Sequence, residues 1–202
     1  KHEAALKSVP AGYRALALLE ARQYQMAEQE LSRINAGDNQ TLRESLVALA
    51  DARSLPSLAM QIGSAVTNGE GGFYDAVLYP SAPWQPENGF EVDRALVFAL
   101  IRQESRFDPS ASNGGSGAVG LMQLMPATAS HVLGVKKDYF TGNKGKAKLA
   151  DPVFNIGLGQ KYLTTLLGLD YINGNLFKLV AAYNAGPGKL QRWTKQLDYN
   201  DD

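Results

Sequence analysis

The chain has 202 residues, of which 45% are apolar and 20% charged, a mixture typical of a globular protein of one or two domains and not of a disordered chain. Twenty basic side chains balance twenty acidic ones, and this zero formal charge argues against a nucleic-acid-binding protein. The lack of cysteine excludes disulfides, zinc–thiolate sites and thiol nucleophiles, and two histidines are too few for a His-rich metal site or a serine–histidine triad.

Short amphipathic helices are predicted in the first third of the chain, which is rich in Ala, Leu, Arg, Glu and Gln. Apolar residues at three- and four-residue spacing place these helices at residues 13–19, 24–34, 41–52 and 57–66. Gly37 is positioned to end the second helix, and Thr41 to cap the third. Because the helices are short and the turns tight, we expect antiparallel pairs, as in an α-solenoid, over residues 1–75.

A second, differently built helical part follows a glycine-rich boundary at residues 67–72 and a proline-containing stretch, residues 76–89, which is predicted to be an extended linker. Over residues 90–202 no convincing alternating strand pattern is longer than four residues, so the chain as a whole is predicted to be all-α. The helices of this part are predicted at residues 91–107, 126–133, 152–167, 175–183 and 189–197. The first is apolar nearly all round and should be buried, whereas the Lys-rich residues 136–148 are predicted to form a loop.

Glu104 is the candidate catalytic residue that the pattern itself indicates. It lies four residues after Leu100 and three after Ile101, so it continues the apolar face of its helix. Burial, the negative end of the helix dipole and the neighbouring Asp108 are all expected to raise its pKa, as a general acid requires. On the pattern alone, an ordinary helix-end glutamate that reaches solvent remains the alternative. Asp108 precedes a proline, and we expect it to stabilise the loop rather than to act as a second catalytic acid.

Three glycines in the following loop, Gly115, Gly117 and Gly120, match the spacing of a dinucleotide-binding fingerprint. The context differs, since no buried strand precedes them and Pro126 follows closely. We therefore expect no nucleotide cofactor, and no metal. We expect these glycines instead to allow a close approach of the backbone to another group.

Three segments together resemble the soluble lytic transglycosylases: residues 99–109 (ALIRQESRFDP), 120–129 (GLMQLMPATA) and 182–188 (AYNAGPG). Their order and spacing agree with that family over roughly residues 90–193. The resemblance implies a lysozyme-like, goose-type helical catalytic domain, preceded by helices similar to the last turns of the α-superhelical domain of larger members. The chain opens without methionine and stops where family members continue with a Glu-Thr-Arg segment and another helix. We therefore expect a mature or trimmed segment whose catalytic domain is incomplete at its C-terminus.

The activity that this resemblance implies is cleavage of the MurNAc–GlcNAc β-1,4 bond of peptidoglycan without water, which leaves a 1,6-anhydro end. Glu104 would be the single catalytic acid and then base, and Tyr183 would hydrogen-bond near it. Substrate-binding residues are expected at Ser116, Met122, Gln123, Met125, Tyr183 and Asn184. The loop before Gly117 is one residue longer than is usual in the family, so Ser112 is the alternative to Ser116.

The resemblance also implies a periplasmic or outer-membrane-associated bacterial protein that acts on glycan strands as a monomer. Cell-wall or secretion-apparatus proteins are the expected protein partners, and no nucleic acid is expected. A goose-type lysozyme-like hydrolase on the same fold, or a catalytically weak glycan-binding module, is the alternative. The sequence favours the transglycosylase over the hydrolase because no well-placed second carboxylate accompanies Glu104.

Overall fold

A computed structural model describes residues 2–63 and 75–196 of the chain. These two ranges contain α-helices and isolated β-bridges but no β-strand, which confirms the all-α prediction. None of the helices within them is long and apolar enough to cross a membrane.

The chain packs into two compact units. The N-terminal unit comprises the residues up to Pro83 and also Arg102–Asp108, and the C-terminal unit comprises Trp84–Ile101 and the residues from Pro109 onward. One helix, α7 (Arg94–Ser105), therefore begins in the C-terminal unit and ends in the N-terminal unit.

The other helices of the N-terminal unit are short, and most of them lie against a neighbour in the chain. They are α1 (His2–Lys7), α2 (Pro10–Glu20), α3 (Tyr24–Ser32), α4 (Gln40–Ala52), α5 (Pro56–Gly63) and α6 (Asp75–Leu78). Helix α2 packs on α1 and α3, and α5 packs on α4 and α6. In addition, α1 packs on α4, and α3 packs on α5. Their shared core is built almost wholly from leucine and alanine, including Leu19, Leu31, Leu46 and Leu58, and burial of such side chains is the main favourable term in folding.

Two predicted helix-end residues in this unit are wrong. Asn39, not Thr41, caps α4, because the side-chain oxygen of Asn39 accepts a hydrogen bond of 3.0 Å from the N–H of Leu42. Gly37 lies in the turn that follows α3 and does not end the helix, although its left-handed φ of 47° suits glycine. The predicted continuation of α5 past residue 63 lies outside the described residues.

The C-terminal unit is organised around its longest helix, α10 (Pro152–Leu167). This unit also contains α8 (Pro126–Leu133), α9 (Asn143–Ala150), α11 (Leu176–Ala185) and α12 (Pro187–Gln196). Of these helices, α8, α9 and α11 pack on α10, and α12 packs on α11. Asp151 caps α10, since its carboxylate accepts a hydrogen bond from the N–H of Phe154 at 2.8 Å, and Pro152 occupies the first turn, as the predicted start at residue 152 requires. The predicted start of α8 at Pro126 is also confirmed.

The prediction of a Lys-rich loop over residues 136–148 is wrong in part, because α9 occupies its second half. Leu149 is completely buried, and the ammonium group of Lys148 lies 4.8 Å from the centroid of the Phe154 ring. A side chain at Gly145 would stand 2.6 Å from the backbone of Phe140, so the glycine lets α9 approach closely. Packing therefore stabilises a helix that contains a glycine, a poor helix former.

The N-terminal part of α7 also differs from its prediction. The helix begins at Arg94 rather than at residue 91, because the Asp93 carboxylate accepts hydrogen bonds from the N–H groups of Ala95 and Leu96 and so marks the helix start. Ala95 is exposed, whereas Val97 is completely buried. The helix is therefore buried along one side and not all round.

Candidate active site

Glu104 lies in the last turn of α7, in the N-terminal unit. Its side chain is half-buried, and this burial raises the pKa of its carboxyl above the ordinary value of 4.5. The N–H of Arg106 closes the turn around it by donating to the carbonyl oxygen of Arg102 at 3.3 Å. The carboxyl of Glu104 therefore keeps its proton to a higher pH than a glutamate in water does, as a general acid requires.

The residues that follow Glu104 leave the helix through an unusual backbone conformation. Arg106 and Phe107 both have left-handed φ angles, of 52° and 63°. Such angles are costly for residues other than glycine and persist only where the surrounding structure fixes them. Here the Phe107 side chain is buried, with 2% exposed, and the N–H of Asp108 donates to the carbonyl of Ser105 at 3.1 Å. The end of α7 is thus anchored by a buried aromatic residue.

The effect of Asp108 differs from the prediction that its charge would raise the pKa of Glu104. Burial is the cause at Glu104, whereas the charge of Asp108 acts on Glu28 of α3. Burial raises the pKa of Glu28 most, a hydrogen bond from the backbone of Leu58 lowers it, and Asp108 raises it further. That Asp108 stabilises the loop stays a prediction. Within the described ranges no three acidic or histidine side chains are grouped closely enough to hold a metal ion.

In the C-terminal unit, a tight turn carries two of the residues expected to bind substrate, Met122 and Gln123. Val119 and Leu124 flank it and exchange two backbone hydrogen bonds of 3.1 Å each. Gly120 has a φ of 81°, and a side chain there would collide with the side chain of Asn155. Gln123 also has a left-handed φ, of 45°, which is uncommon for a residue with a side chain. The turn is therefore tight and requires a left-handed backbone conformation at two of its residues.

Two side chains from different helices hold this turn at Met122. The N–H of Met122 donates to Oδ1 of Asn155 at 2.8 Å, and its carbonyl oxygen accepts from the hydroxyl of Tyr183 at 2.7 Å. Nδ2 of Asn155 donates in addition to the carbonyl oxygens of Val119, at 3.0 Å, and Leu149, at 2.8 Å. The amide of Asn155 is completely buried and fully used, so it supports the turn and is not available as a sugar-binding amide.

The expectation that Met122 lines a substrate groove needs correction. Met122 is completely buried, and its sulfur occupies the space that Gly159 leaves on α10. A side chain at Gly159 would collide with this sulfur. Met122 thus fastens the turn to α10.

The remaining predicted binding residues of this unit reach the surface to different degrees. Ser116 and Asn184 are exposed, and Met125 exposes 45% of its surface. Gln123 is half-buried, and its Nε2 donates to the carbonyl oxygens of Ala111, at 3.0 Å, and Gly120, at 2.9 Å. The amide oxygen of Gln123 is therefore the part of this side chain suited to accept a hydrogen bond from a ligand. That these residues bind substrate stays a prediction.

Tyr183 is half-buried and packs beside Tyr162, with ring centroids 5.5 Å apart. Burial raises the pKa of Tyr162, with a smaller contribution from the charge of Tyr171, so its hydroxyl stays protonated. Glu104 belongs to the other unit, and the predicted hydrogen bond of Tyr183 near Glu104 stays a prediction.

Sequence reasoning did not assign the supporting roles of Asn155 and Gly159. Their spacing offers a signal, because Asn155, Gly159 and the buried Leu163 recur every four residues and so share the inner face of α10. An asparagine and a glycine on a buried helix face indicate that another segment of the chain packs closely against that face.

Comparison with protein families matches residues 83–202 to the transglycosylase SLT domain. The soluble lytic murein transglycosylase of Escherichia coli strain K12 is 39% identical over 106 residues, which make up 52% of this chain and 16% of that protein. The matched region therefore spans about a sixth of the length of this relative.

Solved structures agree with this match. The 70-kDa soluble lytic transglycosylase of Escherichia coli has a TM-score of 0.71 at 27% identity, over 95% of this chain and 30% of that one. A complex of the 70-kDa soluble lytic transglycosylase with bulgecin A gives a TM-score of 0.72 at 27% identity, over 94% and 30% of the two chains. The lysozyme-like helical fold that the motifs imply is thus confirmed.

Proposed function

The chain belongs to the transglycosylase SLT domain family, and we propose that it is a lytic transglycosylase that cleaves the MurNAc–GlcNAc β-1,4 bond of peptidoglycan. The observation that carries the proposal is Glu104, a half-buried carboxyl with a raised pKa in the last turn of α7. A carboxyl group whose pKa is raised by burial holds its proton to a higher pH, and it can donate that proton to the glycosidic oxygen.

The proposed reaction needs one carboxyl group that serves twice. Glu104 first gives its proton to the oxygen between the sugars, and the bond from that oxygen to C1 of MurNAc breaks. The 6-hydroxyl of the same MurNAc then forms a bond to C1, and the Glu104 carboxylate takes the hydroxyl proton. Water is not consumed, the products are a 1,6-anhydro-MurNAc end and a free 4-hydroxyl on GlcNAc, and Glu104 is protonated again for the next cycle. A second carboxylate such as that of Asp108 is not required in this reaction.

The proposed glycan contacts come from the C-terminal unit. Met125, Asn184 and Ser116 are exposed, and Gln123 has an amide oxygen suited to sugar hydroxyls. Tyr183 and the buried Met122 support these contacts, because the hydrogen bond from the Tyr183 hydroxyl to the Met122 carbonyl fixes the turn that carries Gln123. Ser112 is also exposed and stays the alternative to Ser116.

The substrate sets the expected location and partners. Peptidoglycan lies outside the cytoplasmic membrane, so the proposed activity requires a periplasmic or outer-membrane-associated protein. Glycan strands are the proposed binding partner. We also propose that the protein acts as a monomer and that its protein partners belong to the cell-wall or secretion apparatus.

Digestion of purified peptidoglycan in isotopically labelled water tests the proposed function. We expect the full chain to release fragments with 1,6-anhydro ends, one water lighter than the hydrolysis products and without label, as detected by mass spectrometry. Labelled reducing ends would show instead that the protein is a lysozyme-like hydrolase. Binding to peptidoglycan without any release of fragments would identify a glycan-binding module. Glu104→Gln, which is nearly isosteric, serves as the control and should bind without cleaving.

A further inference from the structure

Arg102 connects the last turn of α7 to a segment that lies earlier in the N-terminal unit. Its Nε–H donates to the carbonyl oxygen of Leu78 at 3.0 Å in a part-buried position, and its guanidinium carbon lies 4.9 Å from the centroid of the Tyr79 ring. Leu78 is the last residue of α6. An arginine held by a carbonyl on one side and an aromatic ring on another has a fixed direction.

Arg102 is held by a hydrogen bond and a cation–π contact rather than by an ion pair. It forms no salt bridge with a carboxylate in the described part of the chain, where the salt bridges involve Lys7, Arg14 and Arg33. A guanidinium group that is half-buried beside a carbonyl and a ring is therefore not explained by charge pairing. It stabilises one particular placement of the helix end.

The backbone of Arg102 also belongs to the turn that contains Glu104. The carbonyl of Arg102 accepts the N–H of Arg106 at 3.3 Å, and Glu104 lies between the two residues. Side chains two residues apart in a helix point to different sides, so Arg102 acts on Glu104 through the backbone. The last turn of a helix frays easily, and here two left-handed residues, Arg106 and Phe107, follow it directly.

We propose that Arg102 is a positioning residue that uses Leu78 and Tyr79 to keep the last turn of α7 wound and the Glu104 carboxyl in place. Its catalytic consequence rests on the proposed function of Glu104, whereas its effect on the turn does not. A residue of this kind affects how often the carboxyl is correctly placed, and not how tightly substrate binds.

The test compares Arg102→Ala with the wild type by two measurements that need no activity. Amide hydrogen exchange should become faster at residues 104–108 and stay unchanged in α10. Carbon-13 NMR titration of the Glu104 carboxyl should show a lower pKa, because an unwound turn exposes the group to water. Loss of a positive charge alone would raise the pKa instead, so a raised pKa with unchanged exchange would overturn the proposal.

Two further variants keep the test informative if Arg102→Ala folds poorly. Arg102→Lys retains a donor for Leu78 but not the planar guanidinium, and should restore exchange protection in part. Tyr79→Ala removes a side chain that is 68% exposed, so the fold should tolerate it, and it should show the same changes more weakly. Arg94→Ala is the matched control, since Arg94 lies at the start of the same helix and packs over Phe98. Equal behaviour of Arg94→Ala and Arg102→Ala would contradict the proposal.

Kinetics on peptidoglycan complete the comparison. We expect Arg102→Ala to lower kcat by about tenfold to a hundredfold with little change in KM, as for a misplaced catalytic group. A changed KM with unchanged kcat would overturn the positioning role. If the wild type releases no fragments, the proposed function fails, while the exchange and titration measurements still decide whether Arg102 holds the turn.

Discussion

The hydroxyl of Tyr183 donates a hydrogen bond of 2.7 Å to the carbonyl oxygen of Met122, which lies 61 positions earlier in the chain. The N–H of the same Met122 is bound to Asn155 at 2.8 Å. Both backbone polar groups of one turn residue are thus held by side chains, one from α11 and one from α10. Within the C-terminal unit the turn and these two helices form one connected hydrogen-bond network. We therefore expect the loss of one of these hydrogen bonds to destabilise the whole network.

Tyr183→Phe should lower the free energy of unfolding by about 1–3 kcal/mol, because it leaves the carbonyl of Met122 without its hydroxyl partner. Urea denaturation followed by circular dichroism measures this difference. Tyr171→Phe is the matched control in the same unit, since its hydroxyl donates to the carbonyl of Pro187 over a longer distance of 3.3 Å. Equal losses in the two variants would contradict a special role for the bond to Met122.

Gly159→Ala should destabilise the protein by about 1–3 kcal/mol, because the new methyl group would overlap the buried sulfur of Met122 and force the turn to move. Gly157→Ala provides the control on the same helix, where the nearest atom, of Pro86, is 3.9 Å from the new carbon. That variant should be neutral or more stable by up to about 1 kcal/mol, since alanine favours helix over glycine. Thermal unfolding of both proteins measures the contrast, and a neutral Gly159→Ala would show that Met122 can repack.

Local chemistry made parts of the fold predictable from sequence. Asp151 and Pro152 start α10, and Pro126 starts α8, because caps and first-turn prolines act within a few residues. Helix α9 was not predictable in this way. Gly145 disfavours a helix, and Lys144 and Lys148 repel each other at four-residue spacing. The helix is stabilised by tertiary contacts such as that of Lys148 with the ring of Phe154.

In the candidate site, too, the features that depend on local sequence were predictable and those that depend on tertiary packing were not. The spacing of Glu104 after Leu100 predicts its position on a partly apolar face, and the half-buried side chain has the raised pKa expected there. The inward direction of Met122 could not be predicted, since it depends on the space that Gly159 leaves on a helix distant in sequence. The action of Asp108 on Glu28 likewise depends on tertiary packing, which no local pattern reports.

Glu28→Gln should stabilise the protein at neutral pH. The pKa of Glu28 is raised above 4.5 in the folded protein, mainly by burial and further by Asp108, so the folded state binds more protons than the unfolded state. The stability of the wild type should therefore fall as the pH rises from about 4.5 through the raised pKa, and glutamine removes this loss. Glutamine can still accept the N–H of Leu58.

Urea denaturation of the Glu28→Gln variant and the wild type across this pH range gives the measurement. The two proteins should agree most closely below the ordinary pKa, where the carboxyl is neutral in both states, and this acidic point serves as the internal control. A constant difference at every pH would assign the effect to packing rather than to ionisation.

The cleavage of peptidoglycan should depend on the protonated form of Glu104. Burial raises the pKa of this carboxyl above 4.5, so kcat/KM should be highest below the raised pKa and fall as the pH rises through it, by about tenfold per pH unit. Glu104→Gln should lower the rate by about 10²–10⁴-fold and lose this dependence, because glutamine does not titrate. Pull-down of the variant with insoluble peptidoglycan at each pH separates binding from catalysis. A kcat/KM that increases with pH through the same range would mean that the carboxylate, and not the acid, starts the reaction.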